Sequence, residues 1–116
     1  MTQRETAREL LAAEHAATRE RLNQLEREFA GIVDASGTAG TDDEHDPEGA
    51  TIAFERQHVA ALAGQAREHL AQIDTALQRL RDGRYGLCND CGQPIGAERL
   101  AARPAALTCV RCAARG

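Results

Sequence analysis

Cys88-Asn89-Asp90-Cys91 and Cys109-Val110-Arg111-Cys112 hold all four cysteines of the 116-residue chain, in the pattern Cys-x2-Cys-x17-Cys-x2-Cys. Paired thiolates two residues apart, repeated across a short loop, match the tetrahedral ligand set of one structural zinc ion. No histidine lies between residues 88 and 112, so the expected site is all-sulfur, a suitable set for zinc. Gly92 directly follows the first pair, where a residue free to take positive φ lets backbone N–H groups turn toward sulfur. Two disulfides are the rival reading. Cysteines two residues apart bridge poorly, however, and the N-terminus, charged from Arg4 onward, does not read as a secretory signal. A redox Cys-x-x-Cys pair belongs beside a βαβ pattern, and none is visible here.

A finger of this size, residues 83–116, is too small to bury a core by itself. Tyr85, Leu87, Ile95, Leu100, Leu107 and Val110 are its candidate apolar cluster, with metal binding supplying most of the folding free energy. Upstream, residues 1–82 read as a coiled-coil hairpin. The first helix spans about 3–33, where Leu22, Leu25, Phe29 and Ile32 form a heptad seam, continued less cleanly through Leu10 or Leu11, His15 and Thr18. Asp34-Ala35-Ser36-Gly37-Thr38-Ala39-Gly40-Thr41 is rich in helix breakers and opens a loop of about residues 34–50. That loop is acidic, with Asp42, Asp43, Glu44, Asp46 and Glu48. Asp46-Pro47 reads as an N-cap followed by proline at the first helical position. The second helix then runs to about Arg81 on a seam of Val59, Leu62, Ala66, His69, Ile73, Ala76 and Leu80, and stops at Gly83.

The fold class is therefore mainly α: a long antiparallel coiled-coil hairpin with a small four-cysteine zinc finger at its base. Helices of 31–35 residues would extend roughly 45–50 Å at 1.5 Å per residue, delivering acid at the far end. The bulk composition agrees. Aromatic side chains are few and there is no lysine, so all 14 cations of the Lys and Arg count are arginine, against 18 acids. A net charge of −4 argues against a large basic surface for duplex DNA. No apolar run reaches transmembrane length, and a reducing cytoplasm is the expected location. Four cysteines saturate a zinc ion and leave no open position for water, so no enzyme is expected.

The residues around the cysteines carry a more specific signal: Tyr85-Gly86-Leu87-Cys88-Asn89-Asp90-Cys91-Gly92, Pro94-Ile95-Gly96, Arg99-Leu100-Ala101-Ala102-Arg103-Pro104 and Cys109-Val110-Arg111-Cys112. With the hairpin and its acidic tip, this order resembles the DksA/TraR family of zinc-finger transcription regulators. The resemblance covers residues 42–112 well and the first helix only by pattern. It implies a protein that binds RNA polymerase rather than specific DNA sequences, inserting its hairpin through the secondary channel to modulate initiation. The acidic tip would then act near the catalytic magnesium. A monomer is expected, with no membrane contact.

Two departures from the family stand out. Its tip pattern is Asp-x-x-Asp-x-Ala, whereas Asp46-Pro47-Glu48-Gly49-Ala50-Thr51 keeps only the first aspartate; the register Asp43-x-x-Asp46 restores two but puts Glu48 in the alanine position. Some members also bind the alarmone ppGpp at the base of the hairpin through basic side chains. Here Arg103 matches one of them, while Gln65, His69 and Gln72 occupy the helix face, so an alarmone response is not expected. Arg103 is left as a possible alarmone contact or a clamp of the finger on the helix base. The family's C-terminal helix after the finger is expected to be absent or a stub. The alternative function is a zinc-stapled coiled-coil adaptor for another protein partner.

Overall fold

The computed structural model describes residues 3–38 and 47–115. Among them, four helices follow in the order α1 (Gln3–Thr38), α2 (Pro47–Arg81), α3 (Ala97–Ala102) and α4 (Val110–Arg115). The only extended pairing among the described residues is an isolated antiparallel bridge, Leu87 with Pro94. None of these helices is long and apolar enough to cross a membrane.

Both long helices are built from alanine, leucine, glutamate, glutamine and arginine, the strongest helix formers. α1 continues past the expected end at residue 33 and takes in Asp34 to Thr38. The breakers there do not stop it, because a glycine such as Gly37 costs only about 1 kcal/mol relative to alanine. α2 begins at Pro47 as the sequence indicates, the missing N–H of proline being one that a first helical turn leaves unpaired anyway. Its end is fixed by Gly83 at φ 76. The Gly83 N–H donates to the Leu80 carbonyl and the Arg84 N–H to the Arg79 carbonyl at 2.8 Å, the paired bonds of a Schellman stop.

The chain divides into two compact units, Met1–Ala17 with His69–Gly116, and Thr18–Glu68. In the first, the finger-bearing unit, Leu11 and Ile73 are completely buried, packed with Ala7, Ala76, Leu80 and Ala105. Leu11, not Leu10, is thus the seam residue; Leu10 is exposed. α1 and α2 run antiparallel, so Arg4 donates to the Leu80 carbonyl at 2.8 Å while Glu14 lies 2.6 Å from His69 Nε2. His15 and Asp74 approach to 3.5 Å. The two seam histidines therefore sit half-buried beside carboxylates. In the second unit Thr18, Leu22, Leu25, Val59, Ala63 and Ala66 are buried, whereas Phe29, Ile32 and Leu62 are half-buried. Arg67 and Glu26 pair there at 3.4 Å, and so exposed a pair adds at most about 1 kcal/mol.

Truncating Ile73 removes a side chain from a fully enclosed site. Ile73→Ala should lower unfolding stability by about 2–5 kcal/mol, read as a fall in the urea midpoint of the zinc-loaded protein. Phe54→Ala, at a position 70% exposed, should change it by no more than about 0.5 kcal/mol.

Candidate metal centre

The first cysteine pair sits on a tight turn closed by backbone bonds. Cys88 N–H donates to the Gln93 carbonyl at 2.8 Å and Gly92 N–H to the Cys88 carbonyl at 2.9 Å. Gly92 adopts φ 76, a conformation that costs other residues strain. The second pair opens α4: Cys109 precedes its first residue, and the Ala113 N–H returns to the Cys109 carbonyl at 2.9 Å. Asn89 N–H donates to the Leu107 carbonyl at 2.7 Å and so ties one turn to the other.

These elements bring the four Sγ atoms within 4.8 Å of one another, with Cys91 Sγ and Cys109 Sγ 3.8 Å apart. A tetrahedron of sulfurs about 2.3 Å from zinc has edges of about 3.8 Å, so the cage has the right size. Cys88 and Cys112 are buried, Cys109 is half-buried and Cys91 exposed. The sulfurs do not tolerate charge equally. Burial works against a thiolate at Cys88, but the N–H groups of Cys109, Cys91 and Asp90 outweigh it and hold the thiol down at about 6. Cys109 is also lowered, chiefly by the Cys112 N–H. Cys112 is pushed up to about 12 by the sulfurs of Cys109 and Cys88, and then by burial. Four thiolates this close repel, and a divalent cation at their centre is the group that lets all four ionise. The donor set, its spacing and its electrostatics fit one structural zinc.

The finger does not pack as one cluster. Ile95 is buried and Leu100 partly so, with Cys88, Cys112 and Ala106. Tyr85 and Leu107 instead turn to the core of Leu11 and Ile73, joined there by Ala105. Leu87 and Val110 are exposed, which corrects their place in the sequence-derived cluster. Val110 starts α4, two residues before buried Cys112, and so falls on the helix's opposite side. Tyr85 donates its hydroxyl to the Pro104 carbonyl at 2.7 Å. Burial, and then the Glu14 carboxylate, raise its pKa, keeping it a donor.

One residue that the sequence reading missed holds the finger down. Arg79, in the last turn of α2, is buried. It donates to Asn89 Oδ1 at 3.2 Å, to the Arg84 carbonyl at 3.2 Å and to the Leu87 carbonyl. Arg103, the sequence candidate for a clamp, is exposed, and its backbone N–H donates to the Arg99 carbonyl at 2.7 Å. A signal existed in the position of Arg79, directly before seam residue Leu80 and nine residues before Cys88, where the first knuckle begins. Of the acidic candidates, Asp42, Asp43, Glu44 and Asp46 lie outside the described residues, and Glu48 is the second residue of α2.

Residues 83–115 match the model of the prokaryotic dksA/traR C4-type zinc finger. The fold of the whole chain is similar to that of transcription factor DksA2 from Pseudomonas aeruginosa, with a TM-score of 0.77 and 31% identity over 97% of this chain and 81% of that one. Among curated proteins, YteA of Bacillus subtilis is 39% identical over 75 residues, 65% of this chain and 31% of that protein. The RNA polymerase-binding transcription factor DksA of Caulobacter vibrioides is 47% identical over 49 residues, 42% of this chain and 34% of that protein. The matched segments thus span about a third of the length of these two relatives. The chain belongs to the DksA/TraR family of four-cysteine zinc-finger proteins.

Two outcomes follow from the centre and its clamp. The purified protein should contain one zinc per chain, and chelation should loosen the finger while leaving most far-ultraviolet helical signal, since the four cysteines all lie outside α1 and α2. Arg79→Leu should destabilise the protein by about 2–4 kcal/mol, because three acceptors lose a charged donor, and should speed zinc release to a chromogenic chelator. Arg79→Lys should recover only part of this, since a single ammonium lacks the planar fork.

Proposed function

We propose that this protein binds RNA polymerase in the cytoplasm and regulates transcription initiation by inserting its hairpin into the secondary channel. The observation that carries this reading is the fold likeness to DksA2, which includes both long helices as well as the finger. The similarity to DksA of Caulobacter vibrioides, an RNA polymerase-binding transcription factor, supports the same partner. In this reading residues 1–82 are the inserted hairpin and 83–116 the finger, with Cys88, Cys91, Cys109 and Cys112 holding the zinc. Zinc serves as a staple, fixing the finger against the ends of α1 and α2.

The tip acids Asp42, Asp43, Glu44, Asp46 and Glu48 would bring carboxylates into an electropositive, magnesium-bearing centre, where they shift the open-complex equilibrium without catalysing a reaction. Arg103, exposed and without a side-chain partner among the described residues, is available to polymerase or to ppGpp. One guanidinium is a poor match for a ligand with several phosphates, which needs several convergent cations. His69 is already engaged with Glu14 at 2.6 Å, so the helix face offers the alarmone little.

The direct test is capture of core RNA polymerase by the intact protein, with competition by a known secondary-channel ligand; no capture would end this reading. Replacing Asp42, Asp43, Glu44 and Asp46 by Asn or Gln should leave affinity nearly unchanged and abolish the effect on open-complex lifetime. In a ppGpp titration, wild type and Arg103→Ala should give similar transcription. A strong synergy lost in Arg103→Ala would restore the alarmone site.

A further inference from the structure

The Thr18–Glu68 unit contains a groove of about 460 Å³ between its two helical segments, lined by Glu28, Gly31 and Ile32 of α1 and by Ile52, Glu55, His58 and Val59 of α2. Ile32, Ile52 and Val59 give it an apolar lining. Glu28 and Glu55 are exposed, and neither has an ion-pair partner among the described residues. Gly31 sits in a helix where alanine would be better by about 1 kcal/mol. A Cβ at that position would meet nothing within 4 Å, so no packing within the chain requires the glycine. Its effect is to leave backbone bare and room open beside the groove. Phe54 stands one helical turn before His58 and is 70% exposed, a large apolar side chain at the edge of the same surface.

We propose that this groove receives an arginine or lysine side chain of RNA polymerase. The aliphatic stem of such a residue covers apolar surface while its head stays polar, which matches an apolar lining with two unpaired carboxylates. Phosphate-bearing partners are repelled by the same carboxylates, so the occupant is protein rather than nucleic acid. Gly31 leaves room for the partner to approach closely, and Phe54 adds contact area at the rim. The inference rests on the polymerase-binding reading and names the surface that would seat the hairpin.

Affinity of the zinc-loaded, full-length protein for core polymerase, measured by fluorescence anisotropy over a salt series, tests it. The double variant Glu28→Gln, Glu55→Gln should bind about tenfold more weakly at low salt and show a shallower salt dependence, since rim charges act through long-range attraction. Gly31→Leu should also weaken binding about tenfold by occupying the space. Gly31→Ala should raise the melting temperature and keep affinity within about twofold, which separates filling the groove from disturbing the helix. Helical signal and zinc content are checked for each variant. Failure of the wild type to bind would overturn the polymerase reading itself. Wild-type binding with unchanged affinity in both the double variant and Gly31→Leu would overturn the groove alone. Self-association that the same variants abolish would assign the groove to a second copy of this chain and equally overturn the proposal.

Discussion

Four sulfurs held within 4.8 Å of one another carry more negative charge than the surrounding N–H groups can balance, and the finger-bearing unit is organised around that imbalance. The backbone supplies what it can: Cys88 is held low by N–H groups from three residues. Cys112, hemmed in by its neighbours' sulfurs, remains high. A divalent cation removes the conflict, and its binding free energy becomes folding free energy for a segment with little apolar core of its own. The finger is therefore expected to need metal for its fold, whereas α1 and α2 contain no cysteine.

Docking then depends on two further contacts. Ala105 enters the core beside Leu11 and Ile73, where its small side chain lets the finger backbone come close to the helices. Arg79 projects a buried guanidinium into the first knuckle, where it donates to the Leu87 carbonyl and to the Arg84 carbonyl, the latter also accepting the Leu87 N–H at 3.3 Å. A metal-bound finger without Arg79 would retain its cage but lose its fixed seat on α2. This division explains why one arginine in a helix's last turn is buried while Arg103, within the finger, is exposed.

Much of this was legible in the residues. The cysteine spacing fixes the cage, because only a small set of turns brings Cys-x-x-Cys sulfurs to one point. Pro47 and Gly83 mark the two ends of α2 for stereochemical reasons that hold in any context. Ile73, Ala76 and Leu80 fall on one face by periodicity alone. The choice between Leu10 and Leu11 was not legible, since adjacent leucines both fit an imperfect seam and only the partner helix decides. Nor was the continuation of α1 through Thr38, where weak breakers lose to helix already formed. Arg79 escaped because burial of a charge depends on acceptors five to ten residues away, beyond the end of its helix, not on local pattern. Leu87 and Val110 misled because hydrophobicity gives no direction: one lends its carbonyl to Arg79, and the other lies on the outer side of a six-residue helix.

The hydrogen bond from Arg4 to the Leu80 carbonyl joins residues 76 positions apart, against 55 for Glu14 with His69 and 41 for Glu26 with Arg67. Sequence separation between facing helix positions therefore increases toward the finger. Because closing a longer loop costs more entropy, pairing has an inherent direction, starting near the connection between α1 and α2 and reaching the chain's beginning last. Arg4 is made long before its acceptor, so the contact closes only after synthesis has passed residue 80 of 116. By the same loop-closure argument the seat of the finger on the start of α1 is the last of these contacts to close, while the cysteine cage, spanning residues 88–112, closes a shorter loop of its own. Pulse-labelling hydrogen exchange would contradict this order if amides near Arg79 gained protection before those near Val59.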